Sequence, residues 1–167
     1  IILINTASIT SNIGSITLEI GDDVDLQSGA SLNAANINID VDRIDADPGT
    51  GSTVDLDGDL GTGLTTVTGG VDVDSLFISG VSTDLDFDYS DAIVGVIVRE
   101  GVQLDFSEIE SIGSSIFANN VSFSFGDDVK TIFLTEAAAG STSLTSTFNS
   151  HTTSIVNPTN DFSIDTG

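Results

Sequence analysis

Short runs of alternating apolar and polar residues cover most of the chain, and three of them read alike. They are Leu85-Asp86-Phe87, Leu104-Asp105-Phe106 and Phe123-Ser124-Phe125, evenly spaced along the chain (85 to 104 to 123). A second apolar column travels with the first, since Ile109 and Ile112 recur at nearly the same step as Val129 and Ile132. Alternation with period 2 is the pattern of strands, and a fixed step near 20 residues is the pattern of a β-solenoid. The step extends outward. Ile16-Thr-Leu18-Glu-Ile20 is matched by Ile37-Asn-Ile39-Asp-Val41 (16 to 37), and Phe123 leads to Leu144 and Leu144 to Ile164 at similar intervals. The interval from Ile39 to Leu85 is two turns with an insertion, and the Pro/Gly-punctuated segment 47–53 is where it is placed.

These spacings predict an all-β fold, a single-stranded parallel β-solenoid of seven to eight coils of roughly 20 residues. It occupies 1–167 as one domain, or an excerpt of a longer one, with irregular last coils over 135–167. The alternative is an antiparallel β-sandwich. Against it, the chain has one tight-hairpin dipeptide between alternating strands, Asp57-Gly58. The only helical signal is a single turn at Thr135–Gly140, and Asp91–Val98 reads as a buried strand.

Composition narrows the function. There is no Cys, so disulfides, thiolate nucleophiles and Cys-ligated metals are excluded. No run reaches the roughly 18 apolar residues of a membrane helix, so membrane insertion is not expected. The chain does not open on Met and shows no signal peptide, as expected of a processed chain or an excerpt. The small-residue, Cys-free, Lys-poor composition points to an extracellular or cell-surface protein. Twenty-six acids against three Lys and Arg give a net charge of −23, and 21 of the acids are Asp. Such a field repels phosphate backbones and anionic lipid, so nucleic acid is not an expected partner.

Short carboxylates suit hard cations, and strands stacked about 4.8 Å apart turn outward side chains into ladders. Calcium is therefore the candidate cofactor, at Asp55, Asp57 and Asp59 in Val54-Asp-Leu-Asp-Gly-Asp59 and along Asp84, Asp86, Asp88 and Asp105. The first cluster opens like a calcium loop, but Thr66 stands where an EF-hand has its bidentate Glu. Gly21-Asp-Asp-Val24 and Gly126-Asp-Asp-Val129 form a second recurring acidic pair. The competing account of the acids is a solvating coat.

No nucleophile-and-base set stands out. The one His, His151, sits in a Ser/Thr/Asn-rich stretch, and a P-loop Lys is missing after Gly58–Gly63. Polysaccharide-acting β-helix enzymes need a basic residue beside calcium, and only Arg43, Arg99 and Lys130 are available. The expectation is a chain that is not an enzyme.

Ile16–Leu32 and Val71–Gly80, with their short strands and Gly/Asn/Asp corners, resemble the repeats of filamentous-haemagglutinin-type and autotransporter-type β-helical adhesins. The similarity covers residues 7–134. It implies a right-handed parallel β-helix and a non-catalytic structural or adhesive role at the bacterial cell surface, facing neighbouring repeats or a carbohydrate ligand. The second functional expectation is a subunit of an extracellular filament or surface layer, in which copies meet end to end. Ile1–Ile4 and Phe162-Ser-Ile164 carry it, because neither is a polar cap.

Overall fold

The structure is a computed structural model that describes residues 1–4, 6–43, 49–91, 93–126, 131–146 and 152–166. Asp47 and Pro48 of the expected insertion, Asp127–Lys130 and His151 lie outside the described residues. In chain order the strands begin with β1 (Ile2–Leu3), β2 (Ser8–Thr10), β3 (Ser15–Glu19), β4 (Val24–Leu26), β5 (Ser31–Asn33) and β6 (Asn36–Asp40). They continue with β7 (Thr53–Leu56), β8 (Leu64–Thr68), β9 (Ser75–Ile78), β10 (Val81–Asp91), β11 (Val94–Arg99) and β12 (Val102–Ser107). The last six are β13 (Ser111–Ser114), β14 (Phe117–Phe125), β15 (Ile132–Ala138), β16 (Ser141–Ser146), β17 (Thr152–Val156) and β18 (Asp161–Asp165). The described residues are all-β.

The strands form two eight-stranded sheets and a two-stranded one. The first sheet runs β1-β4-β7-β9-β13-β17-β16-β15, the second β18-β14-β10-β11-β12-β8-β6-β3, and β2 pairs with β5. The chain passes back and forth between the two large sheets, which is why most ladders are parallel: strands reached by a crossover run the same way. Alternation decides the faces. Val54 and Leu56, Leu76 and Ile78, or Leu85, Phe87 and Tyr89 point into one core, while the residues between them point out.

Two expectations hold in register. Ile16 pairs with Ile37 and Leu18 with Ile39, as the predicted step requires. The next step on the neighbouring sheet, from Val24 to Val54, is longer, so the extra length falls in the interval that contains 47–53.

The solenoid of uniform short coils does not form. Later steps are far longer, from Leu85 to Val121 and from Val121 to Phe162, and both large sheets are mixed. The reason lies in β10-β11-β12, an antiparallel meander. Its second turn is the two-residue loop Glu100-Gly101 between paired Arg99 and Val102, with φ of 51° and 78°. Two successive positive φ values are the type I′ signature that matches strand twist. The exposed Glu100 carboxylate fixes the loop by accepting from the Thr83 N–H and the Ser82 hydroxyl. Leu104 therefore lies level with Ile97 and Phe87, two strands from β10, and Phe123 pairs with Phe87 across β10 and β14. The expected Leu85-Leu104-Phe123 stack is replaced by a Phe87–Phe123 stack at 4.8 Å and a Tyr89–Phe125 stack at 5.2 Å.

The second column also dissolves: Ile112 lies in β13 beside Leu76, whereas Ile132 lies in the β15–β16 hairpin beside Ser146. Leu144 pairs within that hairpin rather than between Phe123 and Ile164, which pair directly. The expected helical turn at 135–140 is the end of β15 and its tight turn at Gly140, φ 82°. Two facing sheets around one core are compatible with the sandwich alternative, with mixed rather than antiparallel strands.

Candidate functional site

The outer face of the first sheet carries one row that differs from the rest. Register places Asp25, Asp55, Phe77, Gly113, Ser154 and Ser143 level with one another on β4, β7, β9, β13, β17 and β16. Each is an outward position of its strand, as Phe77 is between buried Leu76 and Ile78. The Phe77 ring lies over Gly113, where a Cβ would come within 2.5 Å of its Cδ1. Glycine at 113 thus lets an aromatic ring lie across the sheet while it stays 45% exposed. Beside it runs a groove of roughly 450 Å³ whose walls include Asp55, Asp57, Ser115 and Ser154. Ser154 and Ser143 hydroxyls meet at 3.5 Å at its far side.

The acids at the near end repel one another. Asp25 and Asp55 are cross-strand neighbours, and the Asp55 carboxyl is held above the usual carboxylate range by partial burial and then by Asp57 and Asp25. Gln27 donates to Asp25 at 3.1 Å, which orients the pair.

The other predicted acids are dispersed. Asp57 and Asp59 are exposed on either side of Gly58, and Asp59 accepts from the Gly61 N–H at 2.8 Å. Both also border a second depression shared with Arg99 and Glu100. Asp84, Asp86 and Asp88 line the outer face of β10, but their neighbours on β14 are Asn120, Ser122 and Ser124. Asn120 donates to Asp84 at 2.7 Å and Ser122 to Asp86. On the other side Val98 and Val96 lie level with Asp86 and Asp88, so Asp105 is separated from Asp88 by Val96. The expected Asp ladder across that sheet is thereby broken up by amide, hydroxyl and valine side chains. Asp40 instead neighbours Glu19, and Arg43 bridges the two. Among the described residues no three His, Asp or Glu side chains converge as metal ligands do.

A second acidic group, of which the sequence singled out only Asp23 in Gly21-Asp-Asp-Val24, braces the corner before the first sheet. Asp74, fully buried, accepts from the Ser52 and Gly70 N–H groups, each at 2.6 Å. Asp42 accepts from the Val71 N–H at 3.3 Å, Asp72 from Gly49 at 2.7 Å and Asp23 from Thr53 at 2.7 Å. Glu110 accepts from the Asp74 N–H at 2.8 Å. Here carboxylates do the work that strand ladders do elsewhere, satisfying corner N–H groups. Gly70 is required at this corner, because a Cβ would lie 2.5 Å from the Asp42 carboxylate.

Burial raises the Asp74 carboxyl despite its two N–H donors, with Asp42 and Asp72 adding to the rise, and burial likewise raises Glu110. A raised folded-state pKa contributes stability that is present at low pH and lost as pH rises through that value. The melting temperature is therefore expected to climb as pH is lowered from neutrality toward the ordinary carboxylate range, about 4. Glu100 works the other way: its hydrogen bonds with Thr83 hold it below the usual range, so its contribution is present above the ordinary carboxylate range and is lost as pH falls from that range through the lowered value. Calorimetry at constant ionic strength checks this, and Asp74→Asn should flatten the rise. A melting temperature that is flat with pH in the parent would show that these acids do not govern stability.

Comparison of the chain with protein-family models, with curated proteins and with solved structures finds no match in any of the three.

Proposed function

We propose that this chain is a non-catalytic, extracellular adhesive module, whose coiling path builds a two-sheet scaffold that presents the Phe77 row to a saccharide. The observation that carries this is the level row Asp55-Phe77-Gly113-Ser154 on an outward face. An exposed aromatic ring offers the apolar C–H face of a pyranose a flat surface of matching polarity. Carboxylates at one side and hydroxyls at the other accept and donate to the ring hydroxyls, which gives orientation rather than bulk affinity. The row sits on strands rather than on a loop, so it is already ordered before a ligand arrives.

The charge selects among sugars. A surface at −23 repels uronic acids and sialylated or sulfated chains. Neutral or amino sugars are the class that fits, with an amino group meeting the Asp25–Asp55 pair. Parallel strands joined by crossovers favour a right-handed winding, in keeping with an adhesin-type scaffold.

The test is a panel of immobilised neutral, amino and acidic polysaccharides probed with the parent chain and with Phe77→Ala. Phe77 is exposed, so its removal should leave the melting temperature nearly unchanged while cutting binding at least about tenfold, the worth of roughly 1.4 kcal/mol. Equal binding by parent and variant, or preference for acidic chains, would refute the assignment.

A further inference from the structure

We infer that the Phe77 groove binds an extended, linear glycan laid across the strands, an internal stretch of a chain rather than a single sugar. This rests on the saccharide reading of the row and adds the shape, length and polarity of the ligand. The first support is the outline of the groove. Its walls draw on β7 at Asp55, β9 at Phe77, β13 at Gly113, β17 at Ser154 and β16 at Ser141. These five strands are consecutive neighbours in the first sheet. At a spacing of about 4.8 Å they make the groove about 19 Å long. A volume of roughly 450 Å³ over that length is a narrow trough, not a round pocket. Each of the five strands is paired on both sides, so the trough lies in the body of the sheet and is ordered before a ligand arrives.

The second support is that neither end of the trough is walled. The next residues along the row are Asp25 on β4, level with Asp55, and Thr135 on β15, level with Ser143. Both are short side chains at outward positions. A polymer can therefore run past both ends, which a blind pocket would forbid. The Phe77 ring, lying across the sheet over Gly113, forms a floor between them rather than a barrier.

Hydroxyls follow the trough along its length. Thr53, Ser75, Ser111, Thr152 and Thr145 lie level on the same five strands, one outward row from Phe77. Ser79 and Ser115 stand on the other flank. Each hydroxyl both donates and accepts, as the hydroxyls of successive sugar units require. Charge, by contrast, sits at one end, with Asp25, Asp55 and Asp57 on and around β4 and β7. At the far end Ser141, Ser143, Ser154 and Val156 carry none. The trough therefore has a direction: a unit bearing an amine is favoured over β7, and uncharged units over β13, β17 and β16. Extended β-linked chains, whose rings follow one another in a straight line, fit such a trough; compact or branched ones do not.

The probes are linear β-linked glucose oligomers and their 2-amino counterparts, one to six units long, titrated calorimetrically into the 167-residue chain. Affinity for the parent should rise with length, by at least about tenfold from two units to six, because each added unit meets a further strand. Ser143→Trp, at an outward position of the far end, puts a large ring in the path of the chain. It should bind two units like the parent, and six units no better than two. Phe77→Ala should weaken binding at every length. The parent's length series stands without either variant. Affinity that stops rising at two units, a Ser143→Trp chain that binds six units like the parent, or no binding by either series would overturn the inference and leave the Phe77 reading to the polysaccharide panel. If Phe77→Ala binds every length like the parent, that reading falls and this one with it.

Discussion

Aspartate in place of Phe106 is expected to abolish the cooperative folding transition. Phe106 is buried and packs edge-on against Tyr89 with centroids 5.7 Å apart, at the β12 side of the aromatic cluster that joins β10, β12 and β14. The substitution removes a large apolar side chain, worth about 3–5 kcal/mol as a truncation alone. It also places a carboxylate in a core whose described cations, Arg43 and Arg99, are elsewhere: Arg43 at Glu19 and Arg99 at the Ser79 carbonyl. Neutralising that group by protonation adds several kcal/mol more. The sum rivals the whole stability of an ordinary domain, about 5–15 kcal/mol, at its lower end. Phe106→Leu is the calibrating partner and should melt lower but cooperatively. Circular dichroism melts decide it. Phe133→Asp, at an exposed edge position, should melt like the parent. A parent-like melt for Phe106→Asp would place the meander outside the core.

Valine in place of Gly95 is expected to be nearly as damaging, for a different reason. Gly95 lies level with both Tyr89 and Phe106, and its missing side chain is what lets those two rings touch across β11. A Cβ there would come within 2.4 Å of the Asp88 carbonyl oxygen and 2.7 Å of the Phe106 ring. The backbone contact cannot relax by a rotamer change. Overpacking of this kind costs about 3 kcal/mol, and Gly95→Ala should cost about 1–3 kcal/mol because even one methyl meets both atoms. Chemical denaturation measures it. A neutral Gly95→Ala would mean that β11 does not lie between β10 and β12.

Gly95 also shows where the sequence was informative and where it was not. The alternation at Leu85, Phe87, Leu104, Phe106, Phe123 and Phe125 marked residues that are all buried, and the Ile16/Ile37 and Leu18/Ile39 register was legible to the residue. Alternation reports which face a side chain takes, and that is a local property. It does not report which strand is the neighbour. The even step from Leu85 to Leu104 arises equally from one coil or from up, turn and down again through β11. Glu100-Gly101 also lacks the Asn or Asp that advertises a type I′ turn.

The site was less visible. The acidic run points to Asp55 and Asp57 as cation ligands, and both border the groove, but Phe77 is hidden inside the run Leu76-Phe77-Ile78. Three apolar residues in a row on a strand force the middle one outward, and that was the available signal. Nothing local could set Gly113 and Ser154 beside it, since they arrive from distant parts of the chain (77 to 113, 77 to 154). The bracing acids Asp42, Asp74 and Glu110 look, in sequence, like any of the other carboxylates. Only burial separates a structural carboxylate from a solvated one.

The most direct test of the Phe77 row as the working surface is a backbone amide NMR titration with the neutral or amino sugar oligomer that the polysaccharide panel selects. Shift changes are expected to cluster on Asp55, Phe77, Gly113, Ser115 and Ser154, and to vanish in Phe77→Ala with the remaining spectrum unchanged. Shifts that fall instead on the outer face of β10 and β14 would contradict the assignment.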